Sequence, residues 1–491
     1  MALKHLFAAG LSAFSVVVRA KAQQTAAPTC TSYIAPRNGA PLVAPGFRAE
    51  IVADGLRDPR GIMFDREGGL LVVEQGHGIS RLRISGDSGC ISVGGDVQRV
   101  VDDDSLNHGI ALSQDGNTLY ASSHSNVYAW DYDASQGRTT SDSRDVVEGM
   151  GDKEGHTTRT LLMSQKAPGM LLVSRGSVGN IDFQTLDVTT GVSTIKAFNT
   201  SNMTNSAYDH ASSGLLLGWG LRNSVGVAEH PVSGGIWSVE NSVDDIMRSG
   251  RLIKENNPGE EMNFHGYLNG TRSDVDGGNY GYPSCFTAWN VSEIPDYGGT
   301  TGEQFAIGDQ NATVNDTLCR DDHIAPRITF NAHMAPLDIK FNPNGTAAWV
   351  TMHGSWNRED PIGYILSLVQ FDGKGSPVAP ANSTTAATDI VSNPDLSACP
   401  GSCFRPVGLA WDVQGRLFMS SDSTGEIFVI TKEDGSGVAD VTEISTARET
   451  PSPTVSGSVP SPRKTSGAAI QKTMGCGGYW AIGIAVVLAL L

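Results

Sequence analysis

An all-β chain folded as a six-bladed β-propeller is predicted by three features of the sequence. One short pattern recurs six times between about Ala44 and Thr431: a polar or basic residue opens an apolar strand, a turn follows, and a second apolar strand ends in polar residues. Glycine is abundant, at 57 of 491 residues, as a chain full of tight turns requires. Long stretches with the apolar period of a helix are hard to find.

The first copy opens at Arg60, turns at Glu67-Gly68-Gly69 and returns over Leu70 to Glu74. The second opens at His108, turns at Asp115-Gly116-Asn117 and returns over Leu119 to Ser122. Arg159 opens the third, with Met170 to Ser174 as its partner strand. The fourth opens at Arg222, inside Gly218 to Val227, where Arg222 and Asn223 sit at the mouth of a short apolar run and a strand starts at a crowded point where glycines permit close backbone approach. The fifth runs from Pro336 to Phe341, turns at Asn342 to Gly345 and returns over Ala348 to Met352; the sixth opens at Arg405, turns at Gln414-Gly415 and returns over Leu417 to Ser420. Openings four and five are the furthest apart, so loop insertions are expected mainly over Asn256 to Ala335, between blades 4 and 5. A β-sandwich with a second domain is the competing fold, and sandwiches lack six turns of one kind.

The ends carry export signals. A positively charged start, an apolar run from Leu6 to Val18 and Ala20-Lys21-Ala22 predict a signal peptide over 1–22. An N-terminal extension over 23–43 and a propeller domain over 44–435 follow. A Ser/Thr/Pro-rich stalk is expected over 436–467, then a lipid-anchor (GPI) signal over 468–491 that is removed, leaving the protein secreted and held at the cell surface or wall. Of seven cysteines, six lie in the body, and nearness favours Cys285 with Cys319 and Cys399 with Cys403. Sequons at Asn199, Asn202, Asn269, Asn290, Asn311, Asn315, Asn344 and Asn382 suit a glycosylated exported protein.

With 35 basic against 52 acidic residues the net charge is −17, which argues against a nucleic-acid groove or a polybasic membrane surface. Yet the blade openings collect cations. In a propeller the innermost strands start on one face beside the central channel, so Arg60, His108, Arg159, Arg222 and Arg405 converge there, with Asn107, His156, Asn223 and His333 nearby. Like charges around a channel repel unless an anion sits among them, so the mouth is expected to hold a polyanion. Dinucleotide, P-loop, c-type haem, zinc-protease and α/β-hydrolase signatures are missing from the sequence.

Five motifs identify a family. Glu255-Asn256-Asn257-Pro258-Gly259-Glu260-Glu261-Met262-Asn263, Gly277-Gly278-Asn279-Tyr280-Gly281-Tyr282-Pro283, His333-Met334-Ala335-Pro336-Leu337, His353-Gly354-Ser355-Trp356-Asn357-Arg358 and Arg405-Pro406-Val407-Gly408-Leu409 resemble the glucose/sorbosone dehydrogenases, and within them the fungal pyrroloquinoline-quinone-dependent pyranose dehydrogenases. The resemblance spans roughly Val43 to Lys432. It implies a propeller holding pyrroloquinoline quinone beside Ca²⁺, oxidation of a pyranose or keto-aldose, and electrons passed to an external acceptor (a cytochrome, quinone or metalloprotein).

Carried over by position, the resemblance makes His156 the general base, Arg222 and Asn223 the contacts to the quinone, Arg405 a further cofactor contact, and the backbone carbonyls of Asn257 and Pro258 calcium ligands. Arg60, His108, His333, His353, Trp356 and Arg358 are further candidates for touching cofactor or sugar. Glu260 and Glu261 read as a solvated loop face. Two other functions are open to such a propeller: a non-enzymatic surface binding module and a calcium-dependent lactone hydrolase.

Overall fold

The computed structural model describes residues 33–86, 90–151, 154–203 and 206–442. The signal peptide, the anchor signal, Cys30, Cys476 and most of the stalk lie outside them.

Six mainly antiparallel sheets surround a channel, and their innermost strands are Pro59–Phe64, Ile110–Leu112, Leu161–Met163, Ser224–Glu229, Pro336–Phe341 and Pro406–Trp411. All six are the predicted inner strands. Blade 6 is closed by the two ends of the domain: Phe47–Ala53 pairs antiparallel with Glu426–Lys432, Phe47 opposite Lys432. Leu42–Val43 adds an edge strand to blade 5, and Val438 is fully buried, so the folded body runs past residue 435 into the expected stalk.

The second strands explain why the sequence reads as near-continuous apolar runs. Alternate residues on a strand face opposite sides. In Gly69–Glu74, Leu70 and Val72 pack toward blade 6 with Phe418 and Val429, while Leu71 and Val73 pack toward blade 2 with Ile110 and Leu119. Blade 5 repeats this: Ala348 and Val350 join the blade 4 seam, Ala347 and Trp349 the blade 6 seam. Six such clusters, one per pair of neighbouring blades, form a ring of core. Trp349 is completely buried, and Trp349→Ala would cost about 3–5 kcal/mol.

The strand expected at the fourth opening is Ser224–Glu229 of blade 4; it follows Leu215–Trp219 of blade 3, and Arg222 lies on the crossing between them. Gly220 makes that turn at φ 67, where a Cβ would lie 2.2 Å from Asn279 Oδ1. The presumed insertion over 256–335 also supplies Glu260–Tyr267 and Ile328–Phe330, the two outer strands of blade 4, because Glu260–Tyr267 pairs with Gly235–Glu240. What is truly inserted is a hairpin (Cys285–Thr287 with Gln304–Ala306) and a short helix (Asp316–Asp322). The Cys285–Cys319 disulfide ties them, and Cys399–Cys403 also forms as expected. Arg248, completely buried, grips Asp316 with two contacts of 2.6 and 2.8 Å.

Candidate active site

Each inner strand starts on the same face of the ring, and each second strand returns to it. The cavity there, about 460 Å³, is therefore lined from two sources. Arg60, His156, Arg222, Asn223, His333 and Arg405 come from the approaches to inner strands or the strands themselves; Asp244, His353, Trp356 and Asp422 follow the ends of second strands. The size suits a small-molecule ligand.

His156 is fixed by Ser177. Its Nδ1 lies 3.0 Å from both the Ser177 carbonyl oxygen and Oγ, and its backbone N–H donates to the same carbonyl. A carbonyl only accepts, so Nδ1 carries the hydrogen and Nε2 keeps a lone pair. Burial, then the Arg222 guanidinium, lowers the ring's pKa to about 3, so it is neutral through the working range. Arg159, predicted to join the ring of cations, is buried and does not line the cavity. Its Nη1 donates to the carbonyls of His156 (2.7 Å) and Thr158 (2.9 Å), so it holds the loop that carries His156.

Arg222 is held from three sides: Nε donates to the Asn180 carbonyl (3.1 Å), Nη2 to Asn180 Oδ1 (2.9 Å) and Nη2 to Asp244 (3.3 Å). Asp244 also accepts from Asn357 Nδ2 (2.9 Å) and faces His333 Nδ1 at 3.4 Å. Burial opposes charge on His333, yet its contacts with Asp244 and Glu260 raise its pKa above the ordinary value. His333 and Ala335 both take left-handed backbone (φ 65 and 53), costing on the order of 1 kcal/mol or more each. The contact of His333 Nε2 with the Lys254 carbonyl helps hold that loop.

Across the cavity, Asp422 accepts from Arg60 Nη1 (2.5 Å) and from His353 Nε2 (2.9 and 3.0 Å). Although burial opposes it, His353 and Arg60 hold the Asp422 carboxyl well below the usual range. Arg405 is braced by the carbonyls of His353 (3.1 Å) and Gly354 (3.0 Å), with its guanidinium 5.7 Å from the Tyr364 ring centre.

The cation ring is therefore not bare: Asp244 and Asp422 sit between the arginines and offset part of the repulsion that suggested a polyanion. His108 is buried beneath the cavity wall without lining it, and its Nδ1 has no partner. Arg358 is also absent from the wall; its guanidinium contacts the Glu255 carbonyl and Asn256 Oδ1. Asn257 and Pro258 do not line the cavity either, and the Asn257 side chain is engaged with the backbone of Trp289 and Asn290. Glu260 and Glu261 are not solvated. They lie on the third strand of blade 4, both buried, and burial pushes Glu260, which lines the cavity, to a pKa of about 7. Trp356 is 55% exposed at the rim, outside the core.

Asp422, Asp244 and Ser177 escaped the sequence reading, which looked for first-strand openings. The available signal was the polar residue just beyond each second strand: Ser177 after Arg175, Asp244 after Glu240, Asp422 after Ser421.

Residues 41–433 match the family described as TrAA12-like. The chain is 47% identical over 404 residues to a pyrroloquinoline quinone-dependent sugar dehydrogenase of Hypocrea jecorina (strain QM6a), covering 81% of this chain and 91% of that one. It is 37% identical over 409 residues to a pyrroloquinoline quinone-dependent pyranose dehydrogenase of Coprinopsis cinerea, covering 80% of this chain and 55% of that longer protein. Among solved structures, the calcium structure of a Trichoderma reesei carbohydrate-active enzyme of family AA12 superposes with a TM-score of 0.78 at 46% identity, covering 82% of this chain and 99% of that one. The holo form of the pyranose dehydrogenase PQQ domain from Coprinopsis cinerea gives 0.76 at 37%, covering 82% and 99%.

Proposed function

The chain belongs to the TrAA12-like family, and from that premise we propose that it is a quinoprotein sugar dehydrogenase. It oxidises a pyranose or keto-aldose hydroxyl with pyrroloquinoline quinone and passes the electrons to an external acceptor such as a cytochrome, quinone or metalloprotein. The observation that carries the reading is the His156 geometry: a neutral imidazole with its Nδ1 hydrogen held by Ser177, beside an immobilised arginine in a small-molecule cavity.

The residues fit the cofactor's chemistry. A tricarboxylate asks for oriented cationic donors, and Arg60, Arg222 and Arg405 are fixed around the cavity, with Arg60 Nε buried and without a protein partner. Asn357 Oδ1 and Asn107 Oδ1, also buried and unpartnered, are acceptors suited to hydroxyl groups. Pyrroloquinoline quinone, when bound, supplies an electron-poor carbonyl carbon that accepts the hydride. His156 Nε2 takes the proton of the sugar hydroxyl. Arg222, held by Asn180 and Asp244, would contact the bound quinone and supply positive charge to offset charge gained on its reduction. Trp356 offers its face to the sugar ring at the rim.

Calcium remains part of the proposal, but the backbone carbonyls of Asn257 and Pro258 do not line the cavity and so do not fit as ligands shared with a cofactor held there. No cluster of three or more His, Cys, Asp or Glu side chains suited to a metal occurs among the described residues, and no step is routed through the ion. Secretion and lipid anchoring at the cell surface complete the proposal.

The test mixes apoprotein with Ca²⁺ and pyrroloquinoline quinone and follows dye reduction with a panel of sugars. Reduction by at least one pyranose or osone is expected. Bound quinone with no reduction by any of them would leave the binding-module reading, and lactone cleavage in its place would favour the hydrolase.

A further inference from the structure

Beneath Arg222 lies a group of buried acids that the proposed reaction does not use. Glu240 ends the second strand of blade 4, and Glu261 stands directly opposite it on the third. Both are at least nine-tenths buried. Glu240 Oε1 accepts the Arg222 backbone N–H (2.5 Å), and Oε2 accepts from Ser224 Oγ (3.3 Å) and Asn263 Nδ2 (3.2 Å). Glu261 Oε1 accepts from Thr287 Oγ1 (2.5 Å), and Oε2 accepts from the same Asn263 Nδ2 (3.0 Å).

Donor counting shows what this group lacks. Two carboxyls converge on one amide N–H₂, and no cationic side chain among the described residues bonds to either. Two buried like charges directly across a strand pair also repel. One added proton answers both needs. It removes one charge and can lie between the two carboxyl oxygens that converge on Asn263 Nδ2. The remaining charge belongs on Glu240, which is nearer the Arg222 cation and takes the backbone N–H.

We propose that Glu240 and Glu261 hold one proton between them, and that Glu240 as the remaining carboxylate positions Arg222 and Asn223 at the cavity. The second half rests on the quinone-dehydrogenase reading; the first does not. The other titratable groups of the cluster are His265, whose Nε2 meets Ser238 Oγ at 2.8 Å, and Tyr280, whose hydroxyl donates to the Phe264 carbonyl. His265 is fully buried and held neutral by burial, with a pKa of about 3, and burial raises the Tyr280 phenol, so neither supplies a compensating charge. Burial, then mutual repulsion, raises Glu240, and burial raises Glu261, in keeping with a shared proton.

Infrared spectra of the wild-type apoprotein at neutral pH are expected to contain a carboxylic acid C=O band that is lost in Glu261→Gln. Acids with raised folded-state pKa stabilise the fold at low pH and lose that contribution as pH rises through the folded value. Apoprotein stability should therefore fall on the alkaline side, and Glu261→Gln should flatten that fall. Glu240→Gln should weaken pyrroloquinoline quinone binding, followed by fluorescence quenching, by about tenfold or more, with Glu240→Asp restoring part of it.

Absence of the band from the wild type overturns the shared proton even if a variant fails to fold, and so does an identical alkaline slope in Glu261→Gln or a band that persists there, which would belong to Glu260 with its pKa of about 7. Unchanged quinone affinity in Glu240→Gln overturns the positioning role. Failure of the wild type itself to bind the quinone would count against the dehydrogenase reading and the positioning half together, leaving the proton-sharing half to be judged by the spectrum.

Discussion

His353 and His333 lie at neighbouring strand ends of blade 5, each against an aspartate of a different adjoining blade, and they are set in opposite states. Burial lowers His353 to about 4, whereas His333 is raised. The partner does not explain the difference, because Asp422 is at least as close to His353 as Asp244 is to His333. The company does. Asp422 is shared with Arg60, and Arg405 lies close by, so a third positive charge is disfavoured there. His333 faces two acids, Asp244 and Glu260, and of these only Asp244 is paired with Arg222. An ion pair seen in isolation does not fix a protonation state; the groups one contact further out decide it.

Asp422→Ala should break the contrast most severely. It leaves Arg60 and His353 buried without their carboxylate, and chemical denaturation is expected to show a loss of about 3–5 kcal/mol. Asp244→Asn should erase the contrast from the other side by bringing His333 below its ordinary value, read by NMR titration, and should cost about 1–3 kcal/mol. Because the folded pKa of His333 is raised, its contribution is complete below the unfolded value near 6.5 and is lost as pH rises through the folded one. Arg60→Gln should sharpen the comparison by moving His353 upward from about 4, toward the behaviour of His333. Trp356→Ala, at the exposed rim, should change stability by less than about 0.5 kcal/mol and raise KM for the sugar.

His156 follows the rule for a depressed base. With a folded value of about 3, its contribution to stability is present above pH 6.5 and is lost as pH falls toward 3.

Much of this was legible in the sequence. The six openings, from Arg60 to Arg405, named the inner strands because an apolar run bounded by a turn is a local signal. The two short-range disulfides were legible for the same reason. The carboxylates were missed, because Asp244 and Asp422 reach the cavity through antiparallel return of the second strand, and their signal, a polar residue beyond that strand, has meaning only once the pairing is known. Glu260 and Glu261 looked like loop residues because two acids in a row suggest solvent; pairing with Gly235–Glu240 buried them. Arg159 and Arg358 looked like ligand contacts, and their donors turned out to be engaged with backbone carbonyls.

The most direct test of the central claim is a single turnover. Holoprotein reconstituted with Ca²⁺ and pyrroloquinoline quinone is mixed with a pyranose that the wild type oxidises, and reduction of the bound quinone is followed by absorbance in wild type and His156→Ala. The account predicts equal quinone affinity and a rate lower by about 10²–10⁴-fold in the variant. An unchanged rate in His156→Ala would contradict it.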